Sequence, residues 1–363
     1  MNSLTGVSLF TGAGGMDIGF EAAGVQVLVA SELNRHAADT YQINNPNVKL
    51  YCGDINHYIE DVISEGQGAD VLFGGPPCQG FSVAGKMDPD DPRSQLIWTY
   101  LDVVEKIEPK LFVMENVKAL GTLEKWSLIR QKFINKANKL GYHCEYFVLK
   151  ASDFGVPQNR ERVFFIGSKN KFSRSDFEIH LNTLKEEPPT LRELFSKLPK
   201  IGTSNNPITC TAKITLASNP ILRKSPYAGM LFNGMGRPLN LSGYSYTLPA
   251  SMGGNKTPIV DESLIWDKDQ EDWLINYHQR LLNGHKPESQ VPETLRRISL
   301  VEASAIQTFP KEYKFSGQKS AIYTQIGNAV PCKLAKVVAQ TAIEVALHRK
   351  KYAESAFDLG RLI

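Results

Sequence analysis

A chain of 363 residues, of which 42% are hydrophobic, is long enough to bury one full α/β core and a second, smaller domain. No stretch reaches the ~20 consecutive apolar residues that a membrane-spanning helix needs, and the N-terminus carries no recognisable leader, so we expect a cytoplasmic protein without a membrane partner. The net charge of +3 does not by itself indicate a polyanionic partner, and five widely spaced cysteines without a C-x-x-C pair indicate reduced thiols.

Short apolar runs alternate with helical patterns through the first third of the chain. The runs that read as buried parallel strands are VSLF (7–10), VQVLVA (25–30), DVLFGG (70–75) and KLFVMENV (110–117). Segments between them, such as 94–107, carry apolar residues at helical spacing, and 143–151 and 162–168 add two strands. This alternation predicts an α/β fold with a doubly wound, mostly parallel sheet.

The first strand runs into TGAGGMDIGF, a glycine-rich turn that precedes a helix. Gly12, Gly14 and Gly15 would let backbone amides approach a ligand, which predicts a nucleotide-like cofactor. Asp17 stands where the dinucleotide fingerprint requires glycine, so an adenosine without a pyrophosphate is favoured.

Two carboxylates follow the next strands. Glu32 ends the second apolar run, where a carboxylate can accept hydrogen bonds from both ribose hydroxyls. Asp54 follows the third candidate strand and could accept a hydrogen bond from an adenine amino group. The alternative for each is a solvated loop carboxylate.

The segment GGPPCQGFSVAGK (74–86) follows the strand DVLF at the edge of the sheet where open α/β folds bind ligands. Pro76 and Pro77 restrict the backbone before Cys78, so this thiol can be presented on a rigid loop and activated as a thiolate. We interpret the other cysteines as buried apolar residues: Cys52, Cys144, Cys210 and Cys332.

After Ser168 the sequence becomes rich in Pro, Gly, Asn, Ser and Thr. We therefore predict a catalytic domain from 1–168 and 296–363, and a second domain over 169–295. Ser299 and Glu302 form an S-x-x-E capping box that predicts a helix ended by Pro310.

No acidic residue occurs between Glu193 and Asp261, whereas seven basic residues do. This distribution predicts a surface that faces phosphates, and the alternative is a chance gap in a loop-rich region. The basic residues are Lys197, Lys200, Lys213, Arg223, Lys224, Arg237 and Lys256.

Taken together, these segments resemble the characteristic blocks of the DNA cytosine-5 methyltransferase family, in order and at suitable spacing. Only the central variable region has no matching block. The blocks are LFTGAGGMDIGF, GGPPCQGFSVAGK, MENV (114–117), QNRERVFFIG (158–167), RRISLVEASAIQTFP (296–310) and QIGNAVPCKLAKVVA (325–339).

The resemblance implies a reaction in which Cys78 adds to C6 of cytosine, so that C5 can accept a methyl group. Glu115 would bind the cytosine edge and stabilise or protonate N3. Arg160 and Arg162 alternate along one strand, so we expect both on one face, holding the cytosine carbonyl and Glu115 and lowering the Cys78 pKa. The alternative for Glu115 is an ordinary strand-end acid that pairs with a lysine. The alternative for Arg160 and Arg162 is that they form surface ion pairs.

The resemblance also implies S-adenosylmethionine as cofactor, S-adenosylhomocysteine as product, and no metal. The substrate would be a cytosine flipped out of double-stranded DNA at a defined site, as in a bacterial restriction-modification system, and the enzyme a monomer. Further cofactor contacts would come from Phe10, Ile55, Pro77, Leu96 and Asn328. DNA contacts would come from Gln79, Ser82, Arg237, Thr247 and Lys256.

The chain departs from the family at Leu33, where some members place an aromatic residue, and at Cys332, where proline is frequent. Three rival interpretations stay open at this point: an NAD-dependent oxidoreductase, a catalytically silent DNA-binding module, and a methyltransferase acting on tRNA. The absence of glycine at position 17 and the presence of the PPC loop argue against the oxidoreductase. The presence of Cys78, Glu115 and both arginines argues against the silent DNA-binding module. The long acid-free region favours duplex DNA over tRNA.

Overall fold

The computed structural model describes residues 3–77, 95–267 and 269–348. Its strands are β1 (Leu4–Leu9), β2 (Val25–Glu32), β3 (Lys49–Cys52), β4 (Val71–Gly74), β5 (Leu111–Val117), β6 (His143–Lys150), β7 (Gln158–Asn159), β8 (Glu161–Ser168), β9 (Leu216–Ile221), β10 (Met230–Phe232), β11 (Ser245–Tyr246), β12 (Ile259–Asp261) and β13 (Leu295–Arg297). Its α-helices are α1 (Gly15–Glu21), α2 (Arg35–Asn44), α3 (Ile55–Glu65), α4 (Leu96–Ile107), α5 (Lys118–Thr122), α6 (Ser127–Lys139), α7 (Arg174–Thr183), α8 (Leu191–Ser196), α9 (Ser263–Trp266), α10 (Trp273–Leu282), α11 (Leu300–Ile306), α12 (Lys319–Asn328) and α13 (Cys332–Thr341).

Seven strands form the main sheet, in the order β3-β2-β1-β4-β5-β8-β6. Strands β1 to β5 run parallel to one another, which confirms the predicted doubly wound fold. Strand β8 is antiparallel to both β5 and β6. The sequence pattern did not predict this reversal. It follows from the short connection between β6 and β8, because a parallel crossover needs a dozen or more residues.

The two faces of the sheet are covered by different helices. Val71 and Phe73 of β4 enter a cluster shared with α1, α7 and α13, whereas Leu72 enters a cluster shared with α3, α4 and α6. This alternation is the period of two expected for strands that are buried on both faces. Helix α1 lies so close to α13 that a Cβ at Gly19 would be 2.4 Å from the backbone nitrogen of Lys336.

The region after β8 is built from short elements. Strand β9 pairs with β10, and β12 with β13. Helix α7 lies within 169–295, but it packs against the face of the main sheet that carries Val71 and Phe73. The division into two domains therefore stays a prediction. The Ser299–Glu302 capping box at the start of α11 is confirmed.

None of the helices in the described ranges combines the length and apolar character needed to cross a membrane. In the same ranges, no group of three or more His, Cys, Asp or Glu side chains is arranged to hold a metal ion.

Candidate functional site

The site residues lie where the winding of the sheet reverses direction. Strand β1 pairs with β2 on one side and with β4 on the other, and Leu9 is the partner of Gly74. Gly74 is in turn the partner of Met114 in β5. The segments after β1 and β4 and the end of β5 therefore meet at one edge, where open α/β sheets bind their ligands.

Glu115, near the end of β5, pairs with Arg162 of β8. The distance between Arg162 Nε and Glu115 Oε1 is 2.8 Å, and the two side chains are only 16% and 12% exposed. Burial raises the pKa of Glu115, against the opposing charges of Arg162 and Arg160. The partner is thus an arginine rather than the lysine of the alternative interpretation, and burial favours the protonated form of the carboxyl group.

The loop that follows β4 passes over the same carboxyl group. A Cβ built on Gly75 would lie 2.9 Å from Glu115 Oε2. Asn116 donates a hydrogen bond from Nδ2 to the Pro76 carbonyl, at 3.3 Å. Asn116 was not predicted from the sequence, where its only signal is an amide beside the acid at a strand end. Pro77 is half-buried, and the predicted residues Cys78, Gln79 and Ser82 lie outside the described residues.

Arg160 differs from its prediction, because it does not share a strand with Arg162. It lies between β7 and β8 and is buried. Its Nη1 and Nη2 atoms donate to the carbonyls of Gly327 and Asn328, at 3.1 and 3.2 Å. The strand is interrupted because β7 pairs with β11, away from the main sheet. Arg160 therefore binds the end of α12, and its positive charge lowers the pKa of Glu115 against the effect of burial.

The loop between β1 and α1 has a strained backbone held by a buried acid. Phe10 has a φ of 55°, a left-handed value that is uncommon outside glycine. Asp17 accepts hydrogen bonds from Thr11 Oγ1 at 2.5 Å and from the Tyr41 hydroxyl at 3.1 Å. Burial raises the pKa of Asp17 to about 6. Asp17, which stands where the dinucleotide fingerprint has glycine, thus fixes the loop through buried hydrogen bonds.

Glu32 is oriented by two backbone amides. Gly12 donates to Oε2 at 2.8 Å and Asn34 donates to Oε1 at 2.7 Å. Burial raises the Glu32 pKa. This carboxylate is held in one orientation at the end of β2, unlike a solvated loop acid.

Asp54 is the N-cap of α3, where its Oδ1 accepts from the Asn56 amide at 3.0 Å. It lies near Glu32, because Cys52 is the partner of Glu32 and Gly53 donates to the Glu32 carbonyl at 2.9 Å. Ile55 behind it is buried. Two acids and an apolar side chain thus line the ends of β2 and β3.

These residues fit a nucleoside cofactor better than a diphosphate. A Cβ on Gly12, which has a φ of +57°, would meet nothing within 4 Å, so there is open space in front of the loop. Acids face this part of the site, and a carboxylate suits ribose hydroxyls but not phosphates. Phe10 and Leu96 are half-buried, and Asn328 is exposed at the end of α12.

The acid-free region carries its positive charge on the surface. Six of its seven basic side chains are exposed, and Arg237 is half-buried with its guanidinium 4.2 Å from the Tyr246 ring centre. Thr247 is exposed and donates to the Asn159 carbonyl at 3.0 Å. Lys256 is among the exposed six.

Met235, which was not predicted from the sequence, lies on the surface of the region after β8. Its side chain is 59% exposed, and its φ of 68° is strained for a residue with a side chain. The loop is anchored at Gly236, whose amide donates to the Asn255 carbonyl at 2.9 Å. In the sequence its only signal is an apolar residue between two glycines.

The family model for C-5 cytosine-specific DNA methylases matches residues 4–344. The chain belongs to the C-5 cytosine-specific DNA methylase family. It is a DNA cytosine-5 methyltransferase, and enzymes of this family use S-adenosylmethionine. The NAD-dependent oxidoreductase and the silent DNA-binding module are thereby excluded.

Curated relatives of this methyltransferase match it over nearly its whole length. Type II methyltransferase M1.HphI of Haemophilus parahaemolyticus is 31% identical over 358 residues, which cover 94% of this chain and 87% of that protein. Type II methyltransferase M.FnuDI of Fusobacterium nucleatum is 29% identical over 352 residues, which cover 95% and 96%.

Solved structures show the same fold. The Dnmt2 methyltransferase of S. pombe has a TM-score of 0.65 at 18% identity, over 94% of this chain and 98% of that one. The Entamoeba histolytica methyltransferase EhMeth has a TM-score of 0.64 at 17% identity, over 94% and 98%. At these identities the comparison establishes the fold alone.

Proposed function

We propose that this enzyme methylates C5 of a cytosine within a defined sequence of double-stranded DNA, as the modification enzyme of a type II restriction-modification system. The observation that carries the chemistry is the buried Glu115–Arg162 pair beside the anchored loop that leads to Cys78. The biological setting is supported by relatives named type II methyltransferases that match over 94% and 95% of the chain.

In the proposed reaction the Cys78 thiolate forms a bond to C6 of the cytosine. The C5–C6 π electrons then make C5 nucleophilic, while N3 takes a proton from Glu115. Arg162 holds the Glu115 carboxyl group in place and stabilises its anion after the proton has left. The raised pKa of Glu115 supports this role, since burial favours the protonated form.

S-adenosylmethionine supplies an electrophilic methyl group when it is bound. After C5 has been methylated, the C5 proton leaves, the Cys78–C6 bond breaks with its electrons returning to sulfur, and N3 gives its proton back to Glu115. No side chain is assigned as the base for the C5 proton, and water can fill this role.

We propose that the cofactor lies between the glycine loop and the end of α12. The Glu32 carboxylate would accept from the ribose hydroxyls, with its orientation set by the amides of Gly12 and Asn34. Asp54 would accept from the adenine amino group. The remaining contacts would come from Phe10, Gly14, Gly15, Ile55, Pro77, Leu96 and Asn328.

The exposed basic side chains of the acid-free region would bind DNA phosphates, with base contacts from Arg237 and Thr247. Gln79 and Ser82 would contact the strand beside the flipped cytosine, whose extrusion costs roughly a few kcal/mol. Met235 would enter the vacated space, as apolar wedges do in other DNA complexes. We propose that the enzyme acts as a monomer, with 169–295 as the recognition domain.

The deciding experiment traps the covalent step on duplex DNA that contains 5-fluorocytosine, in the presence of S-adenosylmethionine. Fluorine at C5 cannot leave as a proton does, so we expect a denaturation-resistant protein–DNA adduct with the wild type and none with Cys78→Ala. Cys52→Ala is the matched control and should form the adduct normally. A folded, cofactor-binding wild type that gives no adduct with DNA of mixed sequence would refute the DNA proposal, and tRNA would be tested next.

A further inference from the structure

A continuous chain of buried hydrogen bonds joins the segment 247–250 to the end of α12. The Leu248 amide donates to Gln158 Oε1 at 3.2 Å, and Gln158 Nε2 donates to Gln307 Oε1 at 3.0 Å. Gln307 Nε2 then donates to the carbonyls of Ile326 and Ala329, at 2.6 and 3.2 Å. Both glutamine side chains are fully buried, so water does not compete for these bonds.

The two ends of this chain fix its direction. A backbone N–H only donates, so Gln158 must turn its oxygen toward Leu248 and its NH₂ group toward Gln307. Gln307 must then present its oxygen to Gln158, which leaves its NH₂ group for the two carbonyls. Because every bond runs the same way, the loss of one donor disturbs the orientation of the next amide.

The chain of hydrogen bonds ends at the last turn of α12, to which Arg160 also binds. The last carbonyls of a helix have no partner within the helix, and here Gln307 takes that of Ile326 while Arg160 takes those of Gly327 and Asn328. A cation at a helix C-terminus is also favoured by the helix dipole. The last turn of α12, which presents Asn328, is therefore held by these two buried side chains.

The chain of hydrogen bonds begins where the segment 247–250 lies beside β7. Gln158 and Asn159 pair in parallel with Ser245 and Tyr246, just before Thr247. Gly327 approaches the same segment so closely that a Cβ there would lie 2.6 Å from the Pro249 carbonyl oxygen. The segment 247–250 and α12 are thus joined both by packing and by the amide chain.

We propose that Gln158 and Gln307 are positioning residues that hold the segment 247–250 and the end of α12 in one register. This inference rests on the proposed function, in which Thr247 contacts DNA and Asn328 contacts the cofactor. It predicts that a change in the amide chain weakens cofactor binding, although neither glutamine is assigned to the cofactor.

The test is Gln307→Glu, with S-adenosylmethionine affinity measured by calorimetry as a function of pH. At about pH 8 the new carboxylate would face the carbonyls of Ile326 and Ala329 as an acceptor, and we expect about tenfold weaker binding. Toward about pH 6 a buried glutamic acid regains its proton and can donate again, so we expect the deficit to shrink severalfold. Gln307→Met lacks the ionisable group, and its deficit should not vary with pH.

Gln158→Glu provides a second route. Its carboxylate would still accept from Leu248 but could not donate, so Gln307 would turn and present its oxygen to the α12 carbonyls. We expect weaker cofactor binding from this distant change too, whereas Gln131→Glu on the exposed face of α6 should bind as the wild type does. If Gln307→Glu does not fold at the higher pH, Gln158→Glu decides the question by the same measurement.

Wild-type affinity in both glutamate variants would overturn the inference, as would a Gln307→Glu deficit that is independent of pH and equal to that of Gln307→Met. Neither result would touch the proposed function if the wild type still forms its fluorocytosine adduct. Loss of that adduct in the wild type would instead refute the proposed function.

Discussion

The carboxyl group of Glu115 lies under two opposing influences. Burial favours its neutral form, and the Arg162 guanidinium, 2.8 Å away, favours its anion. The net effect is a raised pKa, which suits a group that gives a proton to N3 and takes it back. A glutamine at this position would keep the shape and a hydrogen bond but would have no proton to transfer.

We therefore expect Glu115→Gln to lower kcat by about 10²–10⁴-fold, the range for loss of a general acid. Cofactor affinity should stay unchanged, because Glu115 is not assigned to the cofactor. Glu161→Gln is the matched control on the neighbouring strand β8, since Glu161 pairs with Lys118 at an exposed position. Retention of more than a tenth of the wild-type kcat by Glu115→Gln would contradict the proposed role.

Residue identity was easier to predict than residue contact. The motif around Glu115 indicated an acid at a strand end, but not that Arg162 of β8 would pair with it. Arg160 was placed wrongly because the pairing of β7 with β11 depends on a segment distant in sequence. The roles of Asn116, Gln158 and Gln307 likewise arise from contacts that no local pattern encodes.

At the scale of elements, the turn between β1 and α1 depends on a buried acid. Asp17 binds Thr11 and Tyr41, and burial raises its pKa from 3.8 to about 6. Since its pKa is higher in the folded state, the folded state holds the proton more tightly. The corresponding stability is fully present below about pH 4 and is lost as the pH rises to about 6.

We expect Asp17→Asn to remove this pH dependence, because an amide does not titrate. The free energy of unfolding, measured by urea at several pH values, should fall between about pH 4 and pH 6 by up to roughly 1.4 kcal/mol per pH unit more in the wild type than in the variant. Asp39→Asn, on the exposed part of α2, should follow the wild-type curve. Parallel curves for Asp17→Asn and the wild type would show that Asp17 is already ionised throughout this range.

Element prediction succeeded where periodicity and capping act locally. The buried parallel strands and the capping box of α11 were foreseen, because each depends on a few neighbouring residues. The antiparallel insertion of β8 was not, since strand order is set by connection length and by packing across the sheet.

At the scale of the whole molecule, charge is segregated although the net charge is only +3. One uninterrupted segment supplies exposed lysines and arginines, and within the described residues none of them forms an ion pair with a carboxylate. Lysines and arginines that bind DNA phosphates release counterions, so the proposed contribution of this surface can be measured from the salt dependence of DNA affinity.

We expect the double variant Lys224→Ala and Lys256→Ala to bind DNA more weakly and to reduce the slope of log K against log salt by about two, one for each phosphate that no longer has a lysine beside it. The weakening should be similar for DNA with and without the methylation site, because phosphates carry no sequence information. Lys139→Ala, at the end of α6, which packs against the main sheet, should leave the slope unchanged. Arg237→Ala should instead reduce the preference for the methylation site, since its guanidinium, held over Tyr246, is proposed to reach a base edge. An unchanged slope in the lysine variant would mean that DNA binds to another face of the protein. The lack of acidic residues in the acid-free region would then be a chance feature of its composition.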